Sequence, residues 1–180
     1  MEEKREKDRT KGIISQRVRA MIIGIPNVGK STLINTLASR KSAKVGNMPG
    51  ITRTNQWIKV EDRLLLLDTP GVLWPKFESE ELALNLAFIG SIRDEVLPKE
   101  DVALKLVEVL QNKYPRLLVE RYGVEISNSP LETMENIAKK RGAIMRGNEI
   151  DYTRVTDLIL DEFRKGVIGN ITLETVDVRD

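Results

Sequence analysis

The residues best placed to do chemistry are Gly24-Ile25-Pro26-Asn27-Val28-Gly29-Lys30-Ser31. Their spacing, G-x-x-x-x-G-K-S, is that of a phosphate-binding loop. Gly24 and Gly29 let the backbone curl so that successive N–H groups face a phosphate. The positive end of the following helix adds to that attraction. The amides of Asn27, Val28, Gly29, Lys30, Ser31 and Thr32 would line the anion. The Lys30 ammonium would reach the β- and γ-phosphates, and the Ser31 hydroxyl would ligate Mg²⁺, a hard cation that prefers oxygen.

A second motif, Asp68-Thr69-Pro70-Gly71, ends an apolar run, Leu64-Leu65-Leu66-Leu67. D-x-x-G after a strand is the second nucleotide motif of a P-loop GTPase. There Asp68 would hold Mg²⁺ directly or through water. The backbone N–H of Gly71 would meet the γ-phosphate, and Pro70, Gly71 and Val72 would form a switch. Between the motifs lies Pro49-Gly50-Ile51-Thr52. A nucleotide switch needs a hydroxyl that completes the Mg²⁺ shell only while the γ-phosphate is present. Thr52 is the choice and Thr54 the alternative.

Guanine is normally read by N-K-x-D. Asn112-Lys113-Tyr114 begins that pattern, but Pro115 stands where the carboxylate belongs, inside a helical pattern. Ser42-Ala43-Lys44 spells a base-loop motif but lies in the stretch before the switch. The first is read as a helix end and the second as solvated loop. The chain thus carries the phosphate and magnesium half of a GTP site and no base-reading half.

These residues need elements to position them. Residues 19–25 read as a buried strand, 30–40 as the helix after the loop, and 41–53 as loop. Residues 54–60 and 63–68 read as two strands joined by so short a turn that they must be antiparallel. After about residue 77 the periodicity becomes helical over 79–92, 99–112, 130–141 and 151–165, punctuated by Pro98, Pro115 and Pro130. Asn170 to Leu173 read as a last short strand. The expected domains are a charged lead-in at 1–18, a P-loop part at 19–77 and a helical part at 78–180.

The 180-residue chain has no cysteine and no histidine, which excludes disulfides, thiolate chemistry and imidazole acid–base chemistry within it. Its net charge of +2 permits nucleic-acid binding without demanding it. No apolar run is long enough to span a membrane, and the N-terminus is charged, so a soluble cytoplasmic protein with no membrane partner is expected.

GIPNVGKSTLIN, PGIT and LLDTPGVLWPKFE together resemble the bacterial ribosome-biogenesis GTPases of the RbgA/YlqF family, and ERYG and KKRGAIM extend the resemblance into the helical part. Members of that family are circularly permuted, with base-reading motifs ahead of the P-loop. The resemblance therefore implies an α/β P-loop NTPase fold, here a partial, circularly permuted G-domain, followed by a small all-α domain. It implies GTP and GDP as ligands with Mg²⁺, and action as a switch in assembly of the large (50S) ribosomal subunit. The base-reading segment would lie upstream of residue 1. Val72 takes the place where many GTPases hold a water-orienting glutamine, similar to the family's hydrophobic substitution. Low intrinsic activity would follow, with the ribosomal particle supplying the stimulus. The plainer reading packs Val72 under the switch. In related P-loops, asparagine at the place of Asn27 helps hold K⁺ near the phosphates; the alternative is a simple turn former.

Lys139, Lys140, Arg141 and Arg146 form a basic cluster with no acid among them. Such a cluster can neutralise RNA phosphates. It can equally be a solvated helix end favoured by the dipole. The resemblance implies ribosomal RNA binding here, with the large-subunit precursor as partner and DNA not expected. The few aromatics favour recognition of shape and phosphate over base stacking. Trp57 and Trp74 flank the switches and are read as packing or docking residues. Two other readings compete: a truncated, weakly or non-catalytic fragment that binds rRNA through its helical domain, and another P-loop phosphotransferase, such as an ATPase.

Overall fold

The computed structural model describes residues 17–39, 54–61, 64–74 and 76–174. The lead-in ahead of Arg17, the loop 40–53 and Thr52 within it lie outside the described residues. The chain divides into two compact units, Met1–Pro75 and Lys76–Asp180.

In the first unit, strand β1 (Val18–Ile22) leads into the glycine-rich loop, and helix α1 (Lys30–Ser39) follows it. Strands β2 (Gln56–Glu61) and β3 (Leu64–Asp68) form a hairpin. The strand order is β1-β3-β2, with β1 parallel and β2 antiparallel to β3. Side chains alternate between faces along a strand. Leu64 and Leu66 therefore share one face, where they join Ile22, Ile58 and Val60 of the neighbouring strands and Ile34 and Leu37 of α1. The same alternation puts Asp68 on that face, at the end where α1 begins.

The expected buried strand at 19–25 is corrected in two respects. It ends at Ile22, and Val18 to Met21 are exposed. The physical reason is position: among the described residues β1 pairs with β3 along one edge only, and α1 covers one face. Met21, at 57% exposure, stands in a row with Leu67 and Trp57 on the face that α1 does not cover.

The described part of the second unit is helical: α2 (Glu80–Phe88), a 3₁₀ turn (Asp94–Val96), α3 (Lys99–Lys113), α4 (Pro115–Tyr122), α5 (Pro130–Arg141) and α6 (Tyr152–Arg164). Helix α3 is the hub, touching each of the other four. Its buried residues Val102, Ala103, Leu106, Val107 and Leu110 recur on one face, and Leu106 and Leu110 are fully buried. Caps set the boundaries. Ser79 accepts from the Leu82 N–H at 3.1 Å, and Asp151 accepts from the Arg154 N–H at 2.9 Å. Pro130 occupies the first turn of α5, and Gly142, at φ 69°, ends it in the left-handed region that glycine adopts without strain.

Two more expectations are corrected here. Helix α4 was not anticipated, because Pro115 read as a break; it sits in the helix's first turn, where its missing N–H costs nothing. Residues 170–173 form no strand. They are held at the end of α3, with the Tyr114 hydroxyl donating to the Thr172 carbonyl at 2.8 Å, the Thr172 N–H donating to that hydroxyl at 3.1 Å, and Lys113 donating to the Leu173 carbonyl. Side chains satisfy this backbone where a neighbouring strand would have.

Candidate nucleotide-phosphate site

The turn between β1 and α1 uses two left-handed residues, Asn27 at φ 60° and Gly29 at φ 88°. Asparagine tolerates that region better than most residues, which is a structural reason for its presence at 27. The Gly29 carbonyl accepts from the Leu33 N–H at 2.9 Å, starting α1. Lys30 folds back across the loop, and its Nζ donates to the Ile25 carbonyl at 2.7 Å.

Ser31 lies in the first turn of α1, and its Oγ donates to Asp68 Oδ2 at 2.7 Å. Asp68 is buried at the end of β3. A hydroxyl and a carboxylate side by side at a helix N-terminus make a donor set suited to a small hard cation that keeps further places for water and phosphate oxygens. No group of three or more carboxylates competes with it among the described residues.

The segment after β3 is pressed against the loop. A Cβ on Gly71 would stand 2.5 Å from both the Cα and the N of Pro26, so only glycine permits this approach. The Val72 N–H donates to the Gly24 carbonyl at 3.3 Å, and Thr69 Oγ1 donates to the Ile22 carbonyl at 2.7 Å. Pro26 and Thr69 were not singled out from sequence. The threonine inside D-T-P-G was the available signal, a hydroxyl one residue past the strand end.

The plainer reading of Val72 does not hold: its side chain is 73% exposed and packs under nothing described. Trp74 is 61% exposed, and Trp57, exposed by about half, lies under the Arg19 guanidinium at 5.8 Å. Trp57 thus packs against Arg19, while Trp74 is largely exposed. Val28 and Thr32 are exposed at the mouth of the loop. The alternative switch hydroxyl, Thr54, is exposed just ahead of β2.

In the helical unit, Lys139 and Lys140 are exposed in the last turn of α5, and Arg146 is exposed in the turn beyond it. Arg141 is committed locally. Its guanidinium lies over the Tyr122 ring at 5.2 Å and donates to the Arg121 carbonyl at 2.8 Å. Arg121 in turn pairs with Glu162 at 2.9 Å through Nε. That bond holds the Glu162 carboxyl below its ordinary value. Burial raises the pKa of the Tyr122 hydroxyl.

A strand, a phosphate loop opening a helix, and a buried aspartate ending the parallel neighbour strand define a P-loop nucleotide-binding protein of the switch type. The family model described as 50S ribosome-binding GTPase matches residues 19–143, and the chain belongs to that family. It is 47% identical to the ribosome biogenesis GTPase A of Bacillus cereus over 176 residues, covering 97% of this chain and 60% of the relative. It is 35% identical to the protein of that name from Thermotoga maritima, covering 87% of this chain and 56% of the relative. Among solved structures it is similar to a GDP-bound YlqF, with TM-score 0.59 and 30% identity over 94% of this chain and 66% of that one. A GNP-bound YlqF from T. maritima matches with TM-score 0.54 and 28% identity, over 92% of this chain and 62% of that one. The resemblance to ribosome biogenesis GTPase A and YlqF is thereby borne out. The chain spans about 60% of the length of the curated relatives it matches.

Proposed function

We propose that this chain is the phosphate- and magnesium-holding part of a GTP hydrolase that acts as a switch in assembly of the large ribosomal subunit. The observation that carries the proposal is the 2.7 Å contact between Ser31 Oγ and Asp68 Oδ2. It joins the two motifs at the start of α1, and Gly71 closes against the loop beside it. The names of the relatives supply the nucleotide and the ribosomal setting.

Phosphoryl transfer to water asks a protein for positioning and charge stabilisation more than for covalent chemistry. Lys30 exchanges its bond to the Ile25 carbonyl for the β- and γ-phosphate oxygens, and the amides of Asn27 to Thr32 hold the remaining oxygens. Ser31 and Asp68 would hold Mg²⁺, with Thr52 as the switch hydroxyl; the ion would supply positive charge to offset that of the phosphate oxygens. The Gly71 N–H meets the γ-phosphate, and its loss on hydrolysis frees the segment Pro70 to Val72. Val72 offers the attacking water no hydrogen bond, so turnover is slow until an outside donor completes the site; such donors raise the rate by about 10³–10⁵ in other GTPases. Asn27 would supply an oxygen ligand to K⁺. The second unit is a separate all-α domain that grips ribosomal RNA, and the protein works in the cytoplasm. Among the described residues no helix is long and apolar enough to cross a membrane.

Titration with fluorescent GDP, GTP and ATP analogues in Mg²⁺ tests the nucleotide assignment. Guanine nucleotides bind and, at saturation, turn over faster in K⁺ than in Na⁺. A preference for ATP, or no binding of any nucleotide, contradicts it.

A further inference from the structure

The bases of the helical unit fall into two groups. Most are occupied: Arg121 by Glu162, Arg141 by the Arg121 carbonyl, Arg154 by the Gly142 carbonyl, Arg164 by Asp94 and Lys165 by Asp161. Among the described residues the side chains of Lys139 and Lys140 make no hydrogen bond or ion pair. They border a cleft of about 440 Å³ together with Asn136, Val124 and Glu125. Asn136, Lys139 and Lys140 stand at i, i+3 and i+4 on α5 and so share one face. Val124 and Glu125 join the lining from the segment just past Gly123, whose left-handed turn ends α4. The Lys140 stem lies near that turn: a Cβ on Gly123 would be 3.6 Å from its Cε. Val124 is buried. The polar ends of Glu125 and Asn136 likewise have no partner among the described residues.

We propose that this cleft clamps the ribose–phosphate backbone of double-stranded RNA and reads its 2′-hydroxyls; the inference rests on the reading of the helical unit as an RNA-binding domain. The two lysines take the flanking phosphates as point charges. Glu125 is the informative residue. An ionised carboxylate only accepts hydrogen bonds, so in a site built for phosphate alone it merely repels the ligand. Against a ribose it accepts the 2′-hydroxyl proton, while the Asn136 amide donates to the same or the next sugar. DNA lacks that donor. None of the lining residues is aromatic, so the cleft offers no platform for base stacking. Minor-groove sugars of an A-form duplex fit this donor set.

The full chain is titrated by fluorescence anisotropy with an RNA duplex and a DNA duplex of matching sequence over a range of salt. RNA binds about tenfold tighter, the worth of a hydrogen bond to a charged group. The K139A/K140A double variant weakens both duplexes and lowers the salt slope by about two. Glu125→Ala weakens RNA by about tenfold and leaves DNA unchanged or tighter. Asn136→Ala narrows the RNA-over-DNA preference with no change of salt slope. These side chains are surface groups without partners, and an unchanged circular dichroism spectrum keeps the variants comparable. Tighter RNA binding by Glu125→Ala, or equal affinity for RNA and DNA, overturns the clamp while leaving the RNA-binding domain standing. Absence of binding to any RNA overturns both.

Discussion

At the scale of single residues, the site is a small set of close approaches. Gly71 has a Cα that fits against Pro26 where no Cβ can go, and in the proposed mechanism its N–H meets the γ-phosphate. Gly71→Ala must therefore push the segment after β3 off the loop and break the Val72 bond to Gly24. We predict a loss of GTP-analogue affinity of about tenfold or more, read by anisotropy, with the thermal midpoint nearly unchanged because the site lies at the surface of its unit. Asp68→Asn keeps the shape and removes the charge. It abolishes the Mg²⁺-dependent part of nucleotide binding and leaves the Mg²⁺-independent part; equal Mg²⁺ dependence in both proteins would remove Asp68 from the metal site. The P-loop was legible because its glycines and lysine have fixed spacing. The dependence of Gly71 on Pro26 was not, since a contact across 45 residues leaves no mark in spacing.

At the scale of elements, pattern and position separate. The hydrophobic spacing of 99–112 pointed to a helix, and α3 occupies Lys99–Lys113 with that face buried. The antiparallel pairing of β2 with β3 followed from the short turn between them. The burial of β1 was misjudged because an apolar run reports what a strand could bury, while exposure depends on which neighbours are present. Residues 170–173 were misjudged for a related reason: alternation reports an extended chain, and a strand needs a partner as well. Helix α4 was legible after all, from Pro115 at the start, Leu118 and Tyr122 four apart, and Gly123 at the end.

Elements also set the stability. Leu106→Ala in the hub helix removes a fully buried side chain and costs about 2–5 kcal/mol in urea unfolding. Two carboxylates tie distant helices: Asp94 to Arg164 of α6, and Glu162 of α6 to Arg121 of α4. The hydrogen bond from the arginine holds each carboxyl below its ordinary value. The unfolded chain then takes up protons first as the pH falls. The stabilisation is complete above the ordinary carboxylate range and is lost as the pH drops through the lowered folded values. Urea midpoints should therefore fall between neutral pH and about pH 3, and Glu162→Gln should flatten that dependence. A midpoint that rises on acidification would contradict it.

At the scale of the whole molecule, each compact unit has its own apolar core. One gathers Ile34, Val60 and Leu66; the other is centred on Leu106, Leu110 and Ile159. Separate cores make the effects of distant substitutions additive. Leu106→Ala should lower the melting of the helical unit and leave the affinity for a GTP analogue at low temperature within about twofold. Among the described residues the core of the first unit is the smaller, built on three strands and one helix, and ligand binding should raise its midpoint by mass action.

The central claim is that Ser31 and Asp68 hold the Mg²⁺ of a bound guanine nucleotide. The most direct measurement is calorimetric titration of the full chain with a non-hydrolysable GTP analogue, with Mg²⁺ and with chelator, beside Ser31→Ala. The account predicts binding that tightens at least about tenfold with Mg²⁺ in the wild type and gains little from it in the variant. Equal affinities with and without Mg²⁺, or a variant that responds to the ion as the wild type does, would contradict it.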